Sequence, residues 1–237
     1  AESKVEGGKV GIVKVFSLEK GEAKDIRTQI QNLMKQNISK IVLDLRGVAT
    51  GELNEALEVA NLFIKDGTLA QVIGRENKVQ QTFSADASKH LFDGQVAVLI
   101  DLGTAGTGEV VAGAILDRKR GEVVGERSFG AGTEQQLFTL RSGDGLLLTV
   151  AKWASPNGTA FLGEERVKSG VMASVEVKRP DTPEPLEVQD LIDQQEQQNQ
   201  QPNPQATPTP QKQEIPKQIE DIQLKKALEI LMGNAAK

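Results

Sequence analysis

Compact apolar segments alternate with amphipathic helical patterns through the first half of the chain, and this alternation constrains the fold more than any other feature. The segments at 9–16, 40–47 and 95–100 are short and rich in Val, Ile and Leu, as is typical of strands buried on both faces. Apolar residues recur with helical spacing between them, at Ile26, Ile30, Leu33 and Met34 in residues 21–37 and at Leu53, Leu57, Ala60 and Ile64 in residues 52–64. Strands joined by helices predict an α/β fold with a mainly parallel sheet.

The composition excludes several classes of protein. The 237 residues have a formal net charge of −5, and Lys and Arg are spread evenly, so we expect no nucleic-acid partner. No segment approaches the roughly 18 apolar residues of a membrane span. Cysteine is absent, which excludes disulfides, zinc–thiolate sites and a cysteine nucleophile. Neither a phosphate-binding glycine loop nor a His/Asp/Glu set at ligand spacing is evident, and we therefore predict no metal and no cofactor.

A change of composition near residue 190 divides the chain. Residues 1–190 have the apolar content of a folded core, whereas Ala206 is the sole apolar residue between 194 and 213. Such a segment cannot bury enough apolar surface to offset the entropy of ordering, so 191–215 is predicted to be a disordered Gln/Pro-rich linker. Residues 216–237 then predict an amphipathic helix, starting at Pro216 and stopping at Gly233, that docks on the core or on a second subunit.

Two adjoining segments carry the motifs that bear on function. Residues 95–117 read QVAVLIDLGTAGTGEVVAGAILD and residues 121–140 read GEVVGERSFGAGTEQQLFTL. They resemble the active-site block of the carboxy-terminal processing proteases, the tail-specific serine proteases, whose pattern is roughly V-x-V-L-[I/V]-[N/D]-x-x-S-A-S-A-S-E-I and then V-[V/I]-G-E-x-[S/T]-F-G-K-G-x-x-Q. The segments at 40–47, 52–64, 146–164 and 170–180 extend the resemblance. It implies a crotonase/Clp-protease-like layered β-β-α superhelix for the core, here without the PDZ domain that commonly precedes it.

Both catalytic positions of that family are empty in this chain. The family's nucleophile, the middle serine of S-A-S-A-S, falls on Gly106, and its lysine base falls on Ala131 with the family's spacing of 25 positions. A hydroxyl and a neutral amine act together in such a dyad, and losing one partner of a serine hydrolase's catalytic set costs about 10⁶-fold in rate. The resemblance implies that no catalytic residue is intact, although Gln135 stands where the family keeps the glutamine that orients the lysine.

The region that corresponds to the family's oxyanion hole is also altered. The family supplies backbone N–H groups from the glycine turn after the L-D-L-R strand and from the residue after the serine, which is Thr107 here. The turn keeps its second glycine as Gly51 but has the β-branched Thr50 at the first. Because threonine resists the positive φ that glycine allows, we expect the hole to be reshaped or partly filled.

Thr104 and Thr107 are the possible substitute nucleophiles, and Ser128 also flanks the empty positions. Each hydroxyl would need a base. His90, the only histidine, belongs to a polar, helical-looking segment and is interpreted as a surface residue. Lys152 is the nearest lysine in the matched block, but the family's strand there supplies no base.

Two further residues of the matched block have structural interpretations. Glu109 matches the glutamate that follows the family's serine motif, and we interpret it as a first-turn carboxylate favoured by the helix dipole. Trp153 is interpreted as an aromatic side chain of the core or of the groove wall.

These features predict a pseudoprotease that binds polypeptide C-terminal tails or pairs with an active protease relative and regulates it. The accompanying drift in residues 48–51 and 104–108 indicates natural loss rather than deliberate inactivation. Two alternatives remain: a peptidase with a relocated threonine nucleophile or one completed by a partner subunit, and a structural platform that forms homo-oligomers through its C-terminal helix. The resemblance implies an exported protein of the periplasm, the cell envelope or the thylakoid lumen.

Overall fold

A mainly parallel sheet forms the centre of the protein. The computed structural model describes residues 1–179 and 220–233. In chain order the elements are β1 (Glu2–Glu6), β2 (Val10–Lys14), α1 (Glu22–Lys35), β3 (Lys40–Asp44), α2 (Leu53–Phe63), β4 (Thr68–Ile73), β5 (Val79–Ser84), β6 (Gln95–Ile100), α3 (Thr107–Asp117), β7 (Glu122–Gly125), β8 (Thr133–Thr139), β9 (Gly145–Ala154), β10 (Val175–Glu176) and α4 (Ile222–Met232).

The central sheet has six strands in the order β1-β2-β3-β6-β7-β10. All neighbouring pairs from β2 to β10 are parallel, and β1 joins β2 antiparallel at the edge. The predicted α/β class with a mainly parallel sheet is therefore confirmed. Strands β2, β3 and β6 coincide closely with the three apolar segments, because burial on both faces leaves such strands with hardly any polar positions.

Helices α1, α2 and α3 cover one face of this sheet. Ile26, Ile30 and Leu33 of α1 are buried as their spacing predicts. Met34 was expected on the same face, but its side chain is 39% exposed, because the buried stripe of this helix is narrower than the i, i+4, i+7, i+8 pattern suggests.

Four strands form a second, antiparallel sheet in the order β5-β4-β9-β8. Its inner strand β4 is largely buried, whereas β8 and the first six residues of β9 are exposed. The loop before β8 and the inner end of β9 bring this sheet to the carboxyl edge of the central one, where the candidate site lies.

The C-terminal helix covers the other face of the central sheet. Ala227 and Leu231 of α4 are buried against Val42, Ala97 and Leu99. Within the described part of the chain this helix docks on its own core. The predicted linker at 191–215, and residues 216–219 and 234–237 of the predicted helical segment, lie outside the described residues.

Arg46 connects α4 to the end of β3. Its guanidinium donates to both carboxylate oxygens of Asp44 and to both of Asp221, at 2.7–2.9 Å. Asp221 in turn caps α4 by accepting from the amide of Leu224. Burial opposes ionisation of Asp44 and Asp221, but the hydrogen bonds and charge of Arg46 outweigh it, so the pKa of each carboxyl is lowered. The helix is therefore fastened beside the turn that begins at Gly47.

Replacing Arg46 with Gln is expected to release α4 from the core. The variant loses charge-assisted hydrogen bonds on both sides, and a local loss of about 2 kcal/mol corresponds to about 30-fold faster exchange of the helix amides. Hydrogen–deuterium exchange of peptides that contain residues 222–232 measures this. Arg75→Gln, at an exposed arginine, is the control and should leave the exchange unchanged. Equal protection of the α4 amides in both variants would contradict the role of Arg46 in holding this helix on the core.

Candidate functional site

The turn between β6 and α3 places Gly106 at the N-cap of α3. Its backbone has φ 53° and ψ −104°, a conformation that costs a residue with a side chain about 1–3 kcal/mol. A Cβ atom at this position would lie 3.8 Å from the ring of Trp153 and 3.9 Å from the carbonyl oxygen of Ala49, which are ordinary contact distances. A Cβ atom therefore meets no close contact at position 106, and it would face the tryptophan.

The loop after β7 brings Ala131 to the same place. The amides of Gly106 and Ala131 both donate to one atom, Oε2 of Glu109, at 2.8 and 2.9 Å. Positions 106 and 131 are therefore neighbours in space, although they belong to different segments. Neither residue carries a hydroxyl or an amine.

Glu109 is the hub of the site. Its side chain is fully buried, and its second oxygen, Oε1, accepts from the Ser128 hydroxyl at 2.6 Å and from the Gly130 amide at 2.5 Å. Burial raises the pKa of the Glu109 carboxyl, and these hydrogen bonds only partly oppose that shift. Its interpretation as a first-turn carboxylate favoured by the helix dipole misses this role. The signal that points to it is a glutamate at the third helical position, where a capping-box side chain reaches back to the N-cap amide.

The turn at 47–51 lies beside the N-terminus of α3. Positive φ falls on Gly47 and Gly51, not on Thr50. A Cβ at Gly51 would approach the Leu18 carbonyl oxygen to 2.3 Å, so this glycine is required by close backbone contact. The Thr50 carbonyl accepts from the Leu18 amide at 2.9 Å and from the Thr107 hydroxyl at 3.2 Å. The turn is thus fastened on both sides, with threonine in ordinary backbone geometry.

Asp101 holds this turn from the side of β6, and sequence reasoning did not single it out. Its Oδ1 accepts from the amides of Gly47 and Gly103 at 3.0 and 2.9 Å. Its Oδ2 accepts from the Arg179 guanidinium at 2.6 Å. No local pattern indicates this role, because two of its partners, Gly47 and Arg179, lie far from Asp101 along the chain.

The hydroxyls near the empty positions are engaged in structural hydrogen bonds. Thr104 is fully buried, and its hydroxyl donates to the Leu45 carbonyl at 2.9 Å while accepting from the Asp101 amide. The Ser128 hydroxyl donates to Glu109 and accepts from the Val171 amide. The Thr107 hydroxyl is bonded to the Thr50 carbonyl as described above. Among the described residues, none of the three hydroxyls contacts a lysine or histidine.

The two candidate bases, His90 and Lys152, do not reach the hydroxyls beside positions 106 and 131. His90 contacts Asp93, with Nε2 and Oδ1 2.9 Å apart, and lines a shallow pocket with Arg118 and Arg120. Its segment forms a turn after β5 rather than the helix that its polar pattern resembles. Lys152 precedes Trp153 in β9, and successive side chains of a strand face opposite ways. Because Trp153 faces Gly106, the lysine faces away from it.

Gln135 does not join the cluster around Glu109. It lies in β8 opposite Thr149, is exposed, and makes no side-chain hydrogen bond with the described residues. Residues 1–179 and 220–233 contain no cluster of three His, Asp or Glu side chains able to hold a metal ion. In the same two ranges, no helix is both long and apolar enough to cross a bilayer.

A helix N-terminus at the carboxyl edge of a parallel sheet, with a glycine turn beside it, is where open α/β folds place their ligand and active sites. The chain belongs to peptidase family S41, whose sequence profile matches residues 9–176. It is 32% identical over 182 residues to the carboxy-terminal processing protease CtpB of Bacillus subtilis, covering 76% of this chain and 36% of CtpB. A carboxyl-terminal-processing protease of Synechocystis is 30% identical over 179 residues, covering 73% of this chain and 42% of that protein.

Among solved structures, the photosystem II D1 C-terminal processing protease superposes with a TM-score of 0.66 at 28% identity. The match covers 76% of this chain and 47% of that structure. The chain thus spans less than half the length of these relatives. The fold neighbours agree with the layered α/β architecture that the resemblance implies.

Proposed function

We propose that this chain is a non-catalytic member of family S41 that binds polypeptide C-terminal tails. The observation that carries the proposal is the convergence of Gly106 and Ala131 on one oxygen of Glu109. The two segments that would present a nucleophile and its base lie side by side, yet neither has a reactive atom. A Ser-Lys mechanism requires both groups within hydrogen-bond reach.

The geometry argues against relocation of the nucleophile. Activation of a threonine requires a base that accepts its proton. The hydroxyls of Thr104 and Thr107 are instead bonded to the carbonyls of Leu45 and Thr50, which are not bases. This occupancy supports a binding role over the alternative of a substitute dyad.

Two groups support recognition of a polypeptide at this place. Among the described residues, the Thr107 amide at the start of α3 has no acceptor, and the helix dipole there favours a carboxylate or carbonyl oxygen. The buried indole N–H of Trp153 also has no partner. The relatives' names refer to carboxyl-terminal processing. To bind a tail, this chain needs only to recognise a polypeptide C-terminus and does not need to cleave it. The same proposal includes pairing of this chain with an active protease relative. It also includes an exported location in the periplasm, the cell envelope or the thylakoid lumen.

The chain is expected to bind an unstructured peptide with a free carboxyl terminus and to leave it uncut. Fluorescence anisotropy measures binding, and mass spectrometry after prolonged incubation measures cleavage. The same peptide with an amidated terminus is the control, and we expect it to bind at least about 10-fold more weakly, because a charge-assisted hydrogen bond is lost.

Two results would overturn the proposal. One is that the free-carboxyl and amidated peptides bind with equal affinity, or that neither peptide binds. The other is cleavage that survives repurification and disappears on changing Thr107 to Val, which would establish the substitute nucleophile instead.

A further inference from the structure

Two turns border the candidate site, and they pack directly against each other. The β3 turn comprises residues 47–51, and the β6 turn comprises residues 101–106 and leads into the Thr107 amide. A Cβ atom added at Gly103 would lie only 3.0 Å from the Cα atom of Gly47, so the two turns meet through their backbones. A shift of one turn therefore moves the other, because close-packed segments transmit strain.

Direct hydrogen bonds join the two segments beyond this contact. The Ala105 amide donates to the Val48 carbonyl at 2.9 Å. Farther along, the Thr107 hydroxyl donates to the Thr50 carbonyl at 3.2 Å. Where each turn begins, a side chain joins the two instead of a direct backbone bond.

That side chain belongs to Asp101. Its Oδ1 accepts from the Gly47 amide of the β3 turn and from the Gly103 amide of the β6 turn, at 3.0 and 2.9 Å. The side chain is only 9% exposed, so its charge is largely removed from water. One buried oxygen thus sets the spacing of the two turns where they start.

Arg179 supplies the charge that balances Asp101. Its Nη2 lies 2.6 Å from Oδ2 of Asp101, and among the described residues it is the one cation within ion-pair distance of this carboxylate. The Arg179 amide donates to Oε1 of Glu126 at 2.9 Å, which fixes the backbone from which the guanidinium extends. Arg179 itself is 44% exposed and follows β10, outside the two turns.

We infer that Arg179 is a positioning residue for tail binding, acting through Asp101 on the two turns beside the Thr107 amide. A buried carboxylate that loses its partner carries an uncompensated charge, which is costly. It then turns toward water, and its hydrogen bonds to the amides of Gly47 and Gly103 weaken. The inference rests on the proposed function, since the tail is the ligand whose affinity would respond. It makes the course of the chain beyond β10 a determinant of the site.

Arg179→Gln is expected to weaken binding of the free-carboxyl peptide about 10-fold, a typical size for coupling between a ligand and a distant group. Fluorescence anisotropy measures the affinity. Hydrogen exchange followed by NMR is expected to show at least about 10-fold faster exchange of the Gly47 and Gly103 amides, because both lose the oxygen that holds them. The matched control is Lys178→Gln, which removes the same charge at the neighbouring exposed residue and should change neither quantity.

Two further variants separate positioning from a general loss of stability. Arg179→Lys should bind the peptide within about 3-fold of the parent, because the contact with Asp101 is made through one nitrogen that an ammonium can replace. Adding Asp101→Asn to Arg179→Gln should restore part of the lost affinity, since no buried charge is then left without a partner. Two independent structural losses would add instead.

The inference is wrong if Arg179→Gln and Lys178→Gln bind the peptide equally, or if the two glycine amides exchange at the parent rate. It is also wrong if adding Asp101→Asn weakens binding further. A parent chain that binds no peptide would refute the proposed function and, with it, any effect of Arg179 on affinity. The exchange of the two amides would still decide whether Arg179 holds the turns, so the two failures are distinguishable.

Discussion

Gly106→Ser and Ala131→Lys, introduced together, are expected to convert the chain into a peptidase. The two positions already lie side by side on Glu109, and a Cβ at position 106 meets no atom closer than 3.8 Å. The double change supplies a nucleophile and a base to an existing scaffold. It should cost about 1–3 kcal/mol of stability, because serine must adopt the positive φ now held by glycine.

The size of the gain follows from two opposing effects. A complete dyad is worth about 10⁶-fold over a site that lacks it. The resemblance implies that the altered turn at Thr50 lacks one donor of the oxyanion hole, and losing one donor costs about 10²–10³-fold. We therefore expect a gain of about 10³-fold over the parent chain.

Hydrolysis of a fluorogenic peptide measures the result, with Gly106→Ala and Ala131→Lys combined as the matched control that lacks the hydroxyl. Either single change alone should yield no increase, since the two groups act as a unit. A double variant that folds as the parent does but stays inactive would show that more than the dyad has been lost. Activity equal in the double variant and its alanine control would point to a contaminant.

Glu109→Ala is expected to destabilise the protein by about 3–5 kcal/mol. The change leaves four donors without their acceptor in a buried place: the amides of Gly106, Gly130 and Ala131 and the hydroxyl of Ser128. Such a loss is large compared with the 5–15 kcal/mol that stabilises a typical domain. Urea unfolding followed by circular dichroism measures it.

Glu109→Gln separates the shape of this residue from its charge. Its amide oxygen serves one pair of donors while its NH₂ group faces the other pair, and we expect a loss of about 2 kcal/mol. Glu164→Gln, at an exposed position, should change stability by less than about 0.5 kcal/mol. A loss below about 1 kcal/mol in Glu109→Ala would contradict the role of this carboxylate as the hub.

The three buried strands β2, β3 and β6 were the most predictable part of the fold. A short, nearly continuous apolar segment such as 95–100 is typical of a strand buried on both faces of a parallel sheet, and β6 spans those residues. Segments whose exposure depends on other parts of the chain were less predictable. Met34 fits the helical stripe of α1 yet lies at its solvent side, and the segment around His90 has a helical composition but forms a turn.

The candidate site divides in the same way. Comparison of motifs located Gly106 and Ala131 from the sequence, because the spacing between them matches that of the family motif. The residue types alone show that neither position carries a hydroxyl or an amine. Gln135 occupies the expected place in the alignment, but its side chain lies exposed in β8. Alignment specifies position along the chain, whereas the direction of a side chain depends on the sheet around it.

The amino-acid sequence by itself determined the α/β class, the family and the presence of glycine at position 106 and alanine at position 131, since periodicity and residue identity are local properties. The tertiary structure alone decided that Glu109 joins positions 106 and 131 and that Asp101 and Arg46 fasten the neighbouring turn and helix. These features consist of contacts between residues far apart in the chain. Burial and hydrogen-bond partners at such contacts are set by how the segments pack, and no short pattern encodes them.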